Sequence, residues 1–212
     1  MKYIPESVVH FFEQSGKTDP FAIAGLCLGI IAYIPYLWSV IITREAKPAI
    51  SSWFLWSLLT VLTFFGSYKT GKVYPQTLVY LVLDPCVLIC AIIARHSSPF
   101  DKWDKRALYC GLLSIPILVF FPAESLVALI VSLVGIAFAN VPVIKNVYWD
   151  PLAENMLSWI LFTLAGASSF LSSVLYFTKW EDMLTPFIYM TLCLSTLGMI
   201  IRGKYFGPSR IH

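Results

Sequence analysis

Seven runs of roughly twenty apolar residues dominate this chain, at approximately 21–43, 50–68, 75–95, 106–121, 125–146, 156–177 and 183–201. A helix crossing a bilayer needs about 20 mostly apolar residues, because the hydrocarbon core offers no water to unpaired backbone groups. The expected fold is therefore an all-α membrane protein with seven transmembrane helices. Composition points the same way: 58% of the 212 residues are hydrophobic and 13% charged, and mean hydropathy is +0.75. Soluble domains lie nearer one-half apolar and about a quarter charged, and a soluble chain of this length could not bury so much apolar surface. The fourth run is the shortest, and only Pro122, Ala123 and Glu124 separate it from the fifth. The first begins near Phe21, after a polar leader carrying both signs of charge. That is not the layout of a cleavable signal, so the first span is expected to be retained. Within the expected outer segment 1–20, residues 5–16 read either as a short helix on the membrane surface or as an unstructured leader.

Charge orients the spans. Lys and Arg favour the cytoplasmic side. With seven helices and the N-terminus outside, ten of the fifteen basic residues fall in the cytoplasm, including Arg44, Lys47, Arg95, Lys145 and Arg202. Omitting the fourth span removes most of that bias. The C-terminal tail, 202–212, is then cytoplasmic. A net charge of +3 is too small to imply nucleic acid. The five cysteines sit in or beside apolar runs and none forms Cys-x-x-Cys, which argues against a disulfide framework. Cys86 and Cys90 share a helix face, but no His lies nearby to complete a metal site. No metal or cofactor is expected, and no soluble-type catalytic motif is present. The expected class is not an enzyme.

The first and fifth runs are alike. Pro35 and Pro142 stand near their ends, each followed by a short basic loop with a second proline, Pro48 or Pro151. Each loop leads to a Ser-Trp pair, Ser52-Trp53 or Ser158-Trp159, with an aromatic one turn on, Trp56 or Phe162. Helices 1–3 (21–95) then repeat as helices 5–7 (125–201), and residues 96–124 hold a loop and linker helix 4. Four helices restore orientation, so the repeat is parallel, in a 3+1+3 arrangement. On these residues the chain resembles the PQ-loop and SWEET (MtN3) transporter superfamily. The resemblance implies two three-helix bundles around a central substrate site, fed by polar residues of helices 3 and 7. The chain departs from the pattern at Tyr36 and Val143, which replace the glutamine after each proline, so no role is carried over from that glutamine.

Eleven of the twelve acidic residues lie in loops or near segment ends; Asp84 lies midway along the third run. A carboxylate at the bilayer centre costs about 2.5–3.5 kcal/mol on insertion scales and usually faces a cavity. No Lys, Arg or His stands at matching depth. Thr77, Tyr80 and Asp84 share one face of helix 3, and Pro85 is expected to bend it. Thr191, Ser195 and Gly198 form a comparable stripe on helix 7. Asp84 and Tyr80 are read as lining a cavity opposite Ser195, substrate-binding or proton-coupling. The other reading of Asp84 is a structural residue bonded to a carbonyl freed by a proline. Asn140 either binds a polar substrate or satisfies carbonyls left by Pro142. Trp53, Trp56 and Trp159 either stack on a ligand ring or form the aromatic belt of the membrane interface. Thr163, Gly166 and Ser173, on the same stripe as Trp159, read as a helix-packing face.

The function expected is transport of a small polar solute such as a sugar or amino acid by alternating access, with Pro35, Pro142 and Pro85 as flexing points and Asp84 binding substrate or carrying a proton. The alternative is a non-transporting receptor, scaffold or assembly factor on the same fold. The expected partners are the lipid bilayer and a small-molecule substrate. With no Asn-x-Ser/Thr site present, a bacterial inner membrane is the expected location.

Overall fold

The computed structural model describes residues 19–69, 75–120, 126–176 and 180–206. They form seven α-helices, and among the described residues there is no strand: α1 Pro20–Ile41, α2 Ile50–Lys69, α3 Pro75–Ala94, α4 Lys102–Phe120, α5 Leu126–Trp149, α6 Met156–Leu175 and α7 Glu181–Ile201. A π-helical turn, Arg202–Phe206, continues α7. Each helix covers one expected run. The fourth begins earlier than its apolar run because polar residues, not apolar ones, start it. Asp101 caps α4 by accepting from the Trp103 and Asp104 amides, 2.7 and 3.2 Å away, and Asp104 reciprocates by accepting from the Asp101 amide at 3.1 Å. That reciprocal pair satisfies donors a helix start otherwise leaves open. The segment 5–16 lies outside the described residues.

Among the described residues, five helices are long and apolar enough to cross a membrane: α1, α3, α5, α6 and α7. α4 opens with four charged residues, Lys102, Asp104, Lys105 and Arg106. Large apolar side chains such as Ile34, Ile93 and Leu113 are more than 60% exposed, whereas Thr60, Asp84, Asn140 and Thr196 are buried. Apolar outside with polar groups within is the arrangement a lipid solvent selects, because a polar group facing hydrocarbon has no bonding partner there.

The helices close a ring. α1 packs on α6, α6 on α7, α7 on α5, α5 on α2, α2 on α3 and α3 back on α1. α4 stands outside it, against α5 and α2; Ser51 of α2 donates to the buried Asp104 carboxylate and so locks α4 in place. Two of the close approaches that depend on glycine join α1 to α6 and α6 to α7. A Cβ on Gly25 of α1 would lie 2.5 Å from Ser169 Oγ of α6, and one on Gly166 of α6 would lie 2.9 Å from the Met190 Cα of α7. Prolines 35, 85, 116, 142 and 186 all sit inside continuous helices.

The α1–α2, α3–α4 and α5–α6 loops meet at one end. The Lys47 amide donates to the Ala153 carbonyl at 2.7 Å, and the Ser98 amide to the Pro48 carbonyl at 3.1 Å. The ammonium of Lys145 bonds the Asp101 carboxylate. Together with the Trp103 and Asp104 amides it holds the Asp101 carboxyl well below the usual carboxylate range. Arg44 and Arg95 end α1 and α3 in the left-handed region, at φ 55° and 48°.

Candidate functional site

The ring helices line a cavity with about 450 Å3 of atom-free space, counted together with the open space at its mouth. All six ring helices line it: Tyr33 from α1, Trp53 and Trp56 from α2, Tyr80 and Asp84 from α3, Ile136 and Asn140 from α5, Trp159 and Phe162 from α6, and Tyr189, Leu192 and Cys193 from α7. The rings are in contact. Tyr33 meets Phe162 edge-on at 4.9 Å and Trp53 at 6.3 Å, Trp53 meets Trp56 at 5.0 Å, and Tyr80 stacks on Tyr189 at 5.2 Å. Such pairs favour offset or edge-to-face geometry because each ring has a negative face and a positive edge.

Asp84 is 6% exposed. The Tyr33 hydroxyl donates to its carboxylate, and the Thr60 hydroxyl of α2 bonds both Asp84 and Tyr189. Among the described residues no Lys, Arg or His lines the cavity, so these neutral hydroxyls orient the carboxylate without supplying a countercharge. Opposite, Asn140 donates to Thr196 Oγ1 at 3.3 Å and to the Leu192 carbonyl at 3.4 Å. Its own Oδ1 is buried with no partner. A buried acceptor left unmade costs about 1–3 kcal/mol, which marks Asn140 as a place where a donor is missing.

A second hollow of about 720 Å3 lies at the loop end, lined by Ser39, Glu45, Glu154, Asn155 and Lys204 among others. It shares a wall with the cavity. Trp159 lines the cavity and donates its indole N–H to Glu154 Oε2 at 2.9 Å. Tyr36 reaches the same carboxylate and accepts from the Trp53 indole at 3.2 Å. Glu154 thereby ties the loop end to two cavity tryptophans. Burial pushes its carboxyl up to about 7, against the opposing pull of Trp159 and Tyr36, and its Oε1 has no partner.

Of the residues singled out in the sequence, Asp84, Tyr80, Asn140, Trp53, Trp56 and Trp159 converge on the cavity. The three tryptophans point inward, so the belt reading does not describe them. Thr77, half-buried, is not among the lining residues. Nor are Ser195, which donates to its own helix at the Leu192 carbonyl (2.7 Å), and Thr191, exposed and bonded to the Phe187 carbonyl (2.8 Å). The face of α7 that meets the cavity is set by Tyr189 and Cys193 instead. Sequence reasoning missed these and Tyr33. Two spacings pointed to them: Tyr33 precedes Pro35 by two as Asn140 precedes Pro142, and Tyr189 precedes Cys193 by four as Tyr80 precedes Asp84. Glu154 was passed over as a loop acid.

No protein-family model, no curated protein and no solved structure matches this chain.

Proposed function

We propose that the chain is a transporter of a small polar solute working by alternating access, on the plan of the PQ-loop and SWEET superfamily, with two parallel three-helix units joined by α4. The observation that carries this reading is the central cavity, to which every ring helix contributes a side chain and which holds the buried Asp84. Solute sites of secondary transporters lie at the interface of such repeats, so that rocking one unit on the other exposes the site to each side in turn.

Three features support the repeat. The helix neighbours are unchanged when α1, α2 and α3 are exchanged for α5, α6 and α7: α1 with α3 becomes α5 with α7, α2 with α3 becomes α6 with α7, and α1 with α6 becomes α5 with α2. Lining residues exchange likewise, Tyr33 for Asn140, Trp53 for Trp159, Trp56 for Phe162, Tyr80 for Tyr189 and Asp84 for Cys193. Pro35 and Pro142 stand one turn or less from Tyr33 and Asn140, where a flexing point moves the wall of the site. On this reading the hollow beside Glu154 is the cytoplasmic approach, with Trp159 between it and the cavity. Nine of the described Lys and Arg residues lie at that end, against Lys69 at the other, which supports a cytoplasmic loop end in a bacterial inner membrane. Asp84 either binds the solute directly or carries a proton with it.

The test is uptake into proteoliposomes of labelled sugars, amino acids and amines, with and without an imposed pH gradient, for wild type and Asp84→Asn. Saturable uptake that Asp84→Asn abolishes, in a variant that elutes as a folded monodisperse species, is the expected result. If the folded wild type neither accumulates nor exchanges any of them, a receptor or scaffold replaces the transporter.

A further inference from the structure

The cavity has a chemical sign. Among the described residues its one charged side chain is the Asp84 carboxylate, and the groups bonded to it are neutral hydroxyls. The other strongly polar group, Asn140, presents an acceptor, Oδ1, with nothing to accept from. Around these stand seven aromatic rings, whose π faces are negative. The carboxylate, the unpaired acceptor and the ring faces of the site therefore all favour positive charge or an N–H donor. A sugar would need several donors and acceptors set around it, which the packed rings do not offer.

We infer that the cavity recognises a small organic cation, a protonated amine, with Asp84 as its counter-ion, the surrounding rings as its cage and Asn140 as acceptor for its N–H. This rests on the reading of the cavity as a solute site and adds the class of solute. A cation over an aromatic face within about 6 Å of the ring centre is bound electrostatically, and more strongly where water is excluded. The ligand supplies the countercharge that Asp84 lacks, so occupancy removes the main cost of keeping a carboxylate at this depth. The preference for an N–H over a fully alkylated nitrogen follows from Asn140, since a quaternary ammonium cannot donate to Oδ1.

The test uses the full chain in detergent and three compounds of nearly equal shape: dimethylaminoethanol, which is protonated at neutral pH, choline, and the uncharged 3,3-dimethylbutan-1-ol. Binding is followed by tryptophan fluorescence, since Trp53, Trp56 and Trp159 all line the site, and by thermal shift. The amine is expected to bind at least roughly tenfold more tightly than the alcohol, with choline between them. Asp84→Asn should erase the difference between amine and alcohol, and Asp84→Glu should keep part of it. An alcohol that binds as tightly as the amine overturns the inference in the wild type alone, with no variant needed. So does a wild type that shows no response to these cations or to a wider set of small primary and secondary amines. Uptake separates this result from the transport reading. Amines that bind but are never carried leave the cation cage standing and remove transport. A neutral sugar that is carried and not displaced by any amine leaves transport standing and removes the cage.

Discussion

The two walls of the cavity are built alike and charged differently. On the α1–α3 side, Tyr33 donates to the Asp84 carboxylate one turn beyond Tyr80. On the α5–α7 side, Asn140, Cys193 and Tyr189 stand where the proposed repeat would place their counterparts. Both sides carry an aromatic pair from the following helix, Trp53 with Trp56 and Trp159 with Phe162. The shape of the site is thus shared, while its negative charge comes from one side and its unfilled acceptor from the other. The difference teaches that two walls of similar packing can still differ by one charge. Packing depends on volume at many positions, whereas charge depends on a single side chain.

That comparison is broken most severely at Asp84. Replacing it with Asn removes the charge and keeps the size, and is expected to lower solute binding about 30-fold or more, the scale of losing one partner of a buried charge pair. Isothermal titration against dimethylaminoethanol reads it directly, and an unchanged affinity would sink the assignment. The comparison is sharpened by moving the charge: Cys193→Asp in the Asp84→Asn background should recover part of the binding, since the two positions face the same cavity. No recovery in a folded double variant would mean that the walls are not interchangeable.

Stability effects come next. Gly166→Leu drives a side chain into the Met190 backbone and should destabilise by about 1–3 kcal/mol, read as a lower Tm in detergent. Gly198→Ala, with nothing within 4 Å, should not lower it. A Gly166→Leu protein as stable as wild type would contradict the close α6–α7 approach.

The last expected effect, spread over a range of pH, belongs to Glu154. Its folded-state carboxyl is raised by burial to about 7, above the ordinary value. The folded protein therefore holds a proton that the unfolded chain has released in the window from about 4.5 to about 7, and stability falls as pH rises through that window, by at most about 1.4 kcal/mol per pH unit. Below the window both states are protonated, and above it both are ionised. Glu154→Gln should flatten this slope and raise Tm at pH 8 relative to wild type. An unchanged Tm-against-pH profile would show that Glu154 does not titrate with folding.

Much of this architecture was legible from the sequence. The seven apolar runs marked the helices because a membrane span must be continuous and apolar, a local and one-dimensional requirement. Asp84 stood out for the same reason, as a carboxylate where local chemistry disfavours one. The α7 face was misjudged because polarity chose Thr191 and Ser195, yet small hydroxyls satisfy themselves on their own helix carbonyls and need no cavity. The tryptophans were ambiguous because a ring near a span end reads the same whether it faces lipid or the interior. The sequence by itself determined that the chain is helical and membrane-embedded, and that a lone carboxylate lies at mid-depth, since these follow from the residues along each segment. Only the tertiary structure decided that α1 and α6, far apart in the chain, are neighbours, that the rings of five helices meet around Asp84, and that Glu154 joins the loop end to the cavity wall. Those facts depend on which helix faces turn toward one another, and that is set by packing across the ring.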